Sequence, residues 1–293
     1  MKNVSVKDKG FYDKSGLSKR LVYSFTKFIW HIAPDFTLRF ISRMFFYPKE
    51  FNTNKLQNDI LQKASISHVN MRDKTVKVWK WGEGPAVVLA HGWGGRGIQF
   101  SEFISPLIDS GHTVIAYDNP AHGDSGGTNT NFFEFVETIK AVSDSTVGVK
   151  AVIAHSFGAA AALNLDDAIN GNIKLVLISP IFYLEEEIYK FARMFGLYEA
   201  PYKKVIEQLE LKHRLKLSDV SPSRLSEMVS SESLIIHDEL DKITPVSQAS
   251  ILSKYLKNAK FIKTYGLGHS RLLKDMKTVD HTIRFLNGSP NGK

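Results

Sequence analysis

Residues Lys150 to Leu163 read KAVIAHSFGAAAAL. A continuous apolar run leads to a serine, and a run of small residues follows at once. Such a run forms a strand buried on both faces, and the small residues continue as a helix. A strand that turns this abruptly into a helix forces its corner residue, Ser156, into strained backbone geometry. It also brings the positions two before and two after the corner against neighbouring backbone, so both must be small. Here they are Ala154 and Gly158. The start of a helix favours negative charge, so Ser156 stands where an oxyanion would be stabilised.

Working outward, runs of the same kind recur: AVVLAHG (86–92), TVIAYD (113–118), KLVLIS (174–179), SLIIHD (233–238) and KFIKTY (260–265). Helix-like stretches lie between most of them, over 98–109, 132–145, 157–168, 247–257 and 272–286. Strands alternating with helices predict a doubly wound, mostly parallel α/β sheet. Ahead of them, SISHVNM and TVKVWKW alternate apolar and polar residues about a turn at Arg72–Lys74, which reads as a hairpin. The expected sheet therefore has eight strands, the first two antiparallel. The interval between the sixth and seventh strands is too long for a connection. Residues 181–232 read as a helical cap, with aromatic residues such as Phe182, Tyr183, Tyr189 and Tyr202. The expected organisation is a basic N-terminal tail and helical hairpin over 1–63, a core over 64–180 and 233–293, and the cap between.

Composition sets outer bounds. The 293 residues suffice for a large buried core, and 43% hydrophobic with 23% charged residues is ordinary for a globular chain. With no cysteine, disulfides, thiolate nucleophiles and cysteine-bound metals are excluded. The net charge of +8 is uneven: residues 1–50 hold ten Lys/Arg against four Asp/Glu, and the other 243 hold 28 against 26. A nucleic-acid binder would carry a basic stripe on its folded body, so no nucleic-acid partner is expected. Two readings stay open for the apolar helical hairpin over 17–47: packing on its own chain, or peripheral contact with an anionic membrane. A signal peptide is not evident, and no run of about 18 apolar residues occurs. A cytoplasmic protein is expected, with membrane association open. No H-E-x-x-H and no G-x-x-x-x-G-K-[ST] occurs, so no metal, phosphate cradle or cofactor is expected.

Three further features stand at ends of expected strands, where ligands bind in such sheets. His91-Gly-Trp-Gly-Gly95 follows the third strand. Asp238, Glu239 and Asp241 follow the seventh in IIHDELDKITP. His269 follows the eighth in YGLGHSRLL. With AHSFG these residues resemble the α/β-hydrolase superfamily, whose nucleophile elbow reads G-x-S-x-G. Ala154 replaces the first glycine. The resemblance covers roughly residues 65–288 and implies a serine esterase or lipase with a cap. It implies Ser156 as nucleophile, His269 as base and Asp241 as acid, with Asp238 the runner-up. It also implies an oxyanion hole made by the backbone N–H groups of Trp93 and Phe157. His91, Gly92, Gly94, His155, Gly158 and Asp118 would support the site. The implied partner is an apolar acyl compound of small size. Thioester, acyl-transfer and carbon–carbon bond chemistry on the same three residues stay open, as does a non-catalytic ligand-binding or membrane-docked role. Oligomeric state stays open too.

A competing serine lies in PAHGDSGG (120–127), where GDSGG spells the surroundings of the chymotrypsin-like nucleophile. That fold is all-β, whereas this chain alternates strands and helices. Ser125 is expected to hydrogen-bond backbone in a turn, and His122 to be structural.

Overall fold

The computed structural model describes residues 24–25, 28–36, 39, 46–48, 51–165, 173–194, 199–226 and 228–288. Its strands are β1 (Ser65–Met71), β2 (Lys74–Trp81), β3 (Ala86–Ala90), β4 (Thr113–Tyr117), β5 (Val149–His155), β6 (Lys174–Ile178), β7 (Ser233–Asp238) and β8 (Ala259–Thr264). They form one sheet in the order β1-β2-β4-β3-β5-β6-β7-β8. β2 is antiparallel to β1 and β4, and the remaining pairs are parallel. This is the eight-stranded α/β sheet that the apolar runs predict. The hairpin turn falls on Arg72, whose φ is 45°.

Among the described residues, the labelled helices are α1 (Lys55–Gln62), α2 (Ser101–Asp109), α3 (Phe132–Asp144), α4 (Phe157–Ala162), α5 (Leu184–Met194), α6 (Glu199–His213), α7 (Pro222–Leu225), α8 (Val246–Tyr255), α9 (Gly268–Arg271) and α10 (Met276–Leu286). Side-chain caps set several starts. Asn54 and Gln57 form a reciprocal capping box at α1, and Asn131 accepts from Glu134 N at α3. Two helices differ from the expected spans. α4 ends at Ala162 rather than near 168, and Asn164 Nδ2 donates to Ala160 O and Val220 O. An asparagine side chain that bonds a helix carbonyl competes with the ladder. The stretch expected as one helix over 272–286 is broken at Asp275, which caps α10 by accepting from Thr278 N.

β3 is buried at all five residues, and β4 likewise. Val87, Leu89, Phe100, Phe103 and Leu107 are fully buried in one core with Trp79 and Ile153. Burying one such side chain is worth about 1.5–3 kcal/mol, which is why these strands read as unbroken apolar runs.

The chain divides into two compact units. Residues 1–46 and 186–212 make one, and 47–185 with 213–293 make the other, which holds the sheet. In the first unit Tyr189 packs on Tyr202 with ring centroids 4.8 Å apart. The expected 17–47 hairpin lies largely outside the described residues. Those described at 28–32 and 34–36 are helical, with the break at Ala33. Pro34 opens the second stretch, where its missing N–H costs nothing, and Asp35 lies within it. Among the described residues, no helix is long and apolar enough to cross a membrane.

β4 lies on one side of β3 and β5 on the other. The chain therefore leaves β3 and β5 in opposite directions, and a crevice opens beyond their carboxyl ends. Those ends carry HGWGG and Ser156.

Candidate active site

Ser156 sits at the corner between β5 and α4 with φ 54° and ψ −116°. This left-handed conformation is costly for a non-glycine residue, and packing on all sides maintains it. Ser156 N donates to Ile178 O on β6 at 2.9 Å. A Cβ on Gly158 would lie 2.5 Å from both Ala90 O and His91 O, so a side chain is excluded there. Ala154 is fully buried, its methyl accommodated where the family's first glycine stands. A Cβ on Gly92 would come within 3.0 Å of Ser156 Cβ, so the HGWGG loop lies directly against the serine.

Three side chains from three segments meet at this corner. Ser156 Oγ donates to His269 Nε2 at 3.0 Å, and His269 Nδ1 donates to Asp241 Oδ2 at 2.7 Å. Asp241 Oδ1 accepts from Ile243 N and Thr244 N, and His237 Nε2 stands 3.2 Å from Asp241 Oδ2. Burial acts to raise the pKa of Asp241. The bonds from His237, His269 and Thr244 N outweigh it and hold the carboxyl well below the usual carboxylate range. Asp241 is thus an anion at any working pH, aimed at the imidazole. The arrangement can pass the serine proton to His269 while Asp241 balances the resulting charge.

Asp238 faces elsewhere. It accepts from Leu240 N, Leu267 N and Thr264 Oγ1, and so ties the loop that carries His269 to β7.

His155 precedes the serine. Its Nε2 donates to His269 O at 2.9 Å, and Ser179 Oγ donates to the same carbonyl at 3.3 Å. Burial, then the neighbouring His269, pushes the His155 imidazole down to about 3, so it is neutral.

The HGWGG loop faces the loop after β4. Asp118 accepts from Gly97 N, Asp124 N and Arg96 Nε. Burial raises its pKa although Arg96 and these donors pull it down. Asn119 N donates to His91 Nε2 at 2.9 Å, and Gly94 N donates to His122 Nε2 at 3.0 Å. Trp93 and Phe157 are half-buried beside each other, ring centroids 5.7 Å apart, with Phe132 and Phe135 packed on Phe157. Gly92, Gly94 and Gly97 also spell G-x-G-x-x-G, a phosphate-binding pattern that the expectation of no cofactor passes over. Here Gly94 N is taken by His122, Gly95 N by Gly92 O and Gly97 N by the Asp118 carboxylate. A carboxylate at that amide repels a phosphate.

Ser125 is occupied in the same frame. Its Oγ donates to Asp118 O at 2.6 Å and accepts from Lys77 N at 2.9 Å. The roles of Arg96, Asn119, Ser179 and His237 carry no sequence signal beyond their place at strand ends.

A model of the alpha/beta hydrolase family matches residues 87–273. An esterase of Pyrococcus furiosus is similar in structure, at 20% identity and a TM-score of 0.62, covering 82% of this chain and 98% of that one. A thermophilic esterase of Thermogutta terrifontis matches at 14% identity and a TM-score of 0.57, covering 77% and 99%. A thioesterase domain from the curacin biosynthetic pathway matches at 15% identity and a TM-score of 0.56, covering 76% and 99%. No curated protein sequence is significantly similar to this chain. With the elbow at β5 and the sheet order in place, the family match decides the classification: this chain belongs to the alpha/beta hydrolase family.

Proposed function

We propose that the protein is a serine hydrolase that cleaves a carboxylic ester through an acyl-enzyme on Ser156. The observation that carries this reading is the line from Ser156 Oγ through His269 to Asp241, with bonds of 3.0 and 2.7 Å. His269 takes the serine proton as Oγ attacks the acyl carbonyl. The oxyanion is held by the N–H groups of Phe157 and Trp93. His269 then protonates the leaving alcohol, activates a water for attack on the acyl-enzyme, and returns the proton to Ser156 as the acid departs. Both steps need an anionic Asp241, which its donors provide.

The reading is tested by mass spectrometry of the intact protein during turnover of p-nitrophenyl esters of graded acyl length. An acyl adduct that maps to Ser156 is expected. Absence of both adduct and hydrolysis over the series would count against it. Thioester cleavage is the second reading, favoured by the likeness to a thioesterase domain. Acyl-thioesters in the same panel separate the two.

The N-terminal segment is assigned to peripheral contact with an anionic membrane. Phe25, Phe28 and Ile32 recur at helical spacing and are 61–65% exposed. Their segment carries ten of the chain's 38 Lys/Arg residues within the first 50 positions. Apolar side chains with basic neighbours suit an anionic lipid surface.

A further inference from the structure

We propose that His91 and His122 act as a reciprocal clamp that fixes the peptide planes on both sides of Trp93, and that His122 is a positioning residue for the oxyanion donor. This rests on the acyl-transfer reading above and adds to it the device that holds one donor in place.

The loop after β3 and the loop after β4 exchange one bond each way. Asn119 N donates to His91 Nε2, and Gly94 N donates to His122 Nε2, at 2.9 and 3.0 Å. Each ring then uses its other nitrogen within its own loop. His91 Nδ1 donates to Gly92 O at 2.7 Å, and His122 Nδ1 donates to Pro120 O at 3.0 Å. Both imidazoles therefore carry one proton, on Nδ1. A second proton on Nε2 would face a backbone N–H and break the exchange. The rings touch each other with centroids 5.0 Å apart, and Phe135 closes on both. Burial favours the neutral ring in each case, pushing His122 down to about 4 and His91 well below its usual value.

The consequence follows from the planar, trans peptide. Gly92 C=O and Trp93 N–H belong to one peptide plane, so His91 Nδ1–H on that carbonyl sets the direction of the Trp93 N–H. Trp93 C=O and Gly94 N–H belong to the next plane, which His122 holds. The edge of the Trp93 ring contact with His122, centroids 5.7 Å apart, fixes the side chain as well. Two histidines thus hold the backbone that presents one oxyanion donor. A donor displaced by a fraction of an ångström loses its value in the transition state and much less in substrate binding.

The test compares His122→Gln, which keeps an acceptor near the Nε2 position, with His122→Leu, which fills the space without one. Ester hydrolysis and inhibition by a trifluoromethyl ketone, whose hemiketal oxygen occupies the oxyanion site, are measured for both. Leucine should lower kcat by about tenfold or more with KM within about threefold, and should raise the inhibitor Ki by the same factor as it lowers kcat/KM. Glutamine should restore most of both. Wild-type kcat and Ki in the leucine variant would overturn the proposal. The arm that needs no activity and no variant is nitrogen NMR of the histidine rings, which should show Nδ1-protonated, neutral His91 and His122 at neutral pH. An Nε2-protonated His122 would also overturn it. A wild-type protein with these tautomers but inert to esters and thioesters would refute the acyl-transfer reading and leave the clamp standing.

Discussion

Asp241 Oδ2 lies 2.7 Å from His269 Nδ1, whereas Asp238, three residues earlier, gives its carboxylate to Leu240 N, Leu267 N and Thr264 Oγ1. The two acids leave the same strand end and separate into different tasks. Asp241→Asn should lower kcat by on the order of 10⁴-fold, because the amide cannot hold His269 in the tautomer that accepts from serine. Asp238→Asn keeps one acceptor oxygen and should cost mainly stability, about 1–3 kcal/mol. Steady-state rates and urea melts of the two variants separate these effects. Equal rate losses would contradict the division.

The buried histidines make stability depend on pH. His91, His122 and His155 have pKa values depressed by burial, to about 4 for His122 and about 3 for His155. In the unfolded chain they titrate near 6.5. Below that value the unfolded state binds protons that the folded state refuses. Their contribution is thus complete above about pH 6.5 and is lost as pH falls toward the folded values. Each histidine adds a slope of up to about 1.4 kcal/mol per pH unit. Urea unfolding at pH 7, 6 and 5 should show this decline, and His122→Gln should flatten it by about one proton. A flat profile would contradict the neutral assignments.

Gly158→Ala should destabilise the protein by about 1–3 kcal/mol or more, since the new methyl meets two backbone carbonyls that cannot move aside. Ala154→Gly restores the family's spelling and should leave activity within a few-fold. Thermal melts and ester rates read both. A Gly158→Ala variant with an unchanged melting temperature would remove the steric reason for the motif.

The N-terminal segment should bring the protein down with anionic vesicles at low ionic strength and release it at high salt, since screening weakens the attraction. Phe28→Asp, at a 61% exposed position, should reduce sedimentation with little change in ester hydrolysis. No sedimentation under either condition would favour packing of this segment on its own chain.

The strands were legible because parallel strands buried on both faces read as unbroken apolar runs. Ala86–Ala90 is fully buried along its length, and its expected run begins at the same residue. Ser156, His269 and the acidic group Asp238, Glu239 and Asp241 were legible because each follows or closes a strand at its carboxyl end, whereas the choice of Asp241 over Asp238 came from the family resemblance. The links between those positions were not. The bonds of His237 to Asp241 and of Gly94 to His122 join segments brought together by sheet order, which one sequence does not reveal. Chain breaks set by single side chains, such as Asp275 at the start of α10, carried a local signal that the apolar periodicity masked.

The most direct measurement is fluorophosphonate labelling of the wild type beside Ser156→Ala and Ser125→Ala. Ser125 is bonded to Asp118 O and Lys77 N, whereas Ser156 faces the imidazole of His269. Labelling and ester hydrolysis should vanish in Ser156→Ala and persist in Ser125→Ala. Retained labelling in Ser156→Ala, or its loss in a folded Ser125→Ala protein, would contradict the assignment of the nucleophile.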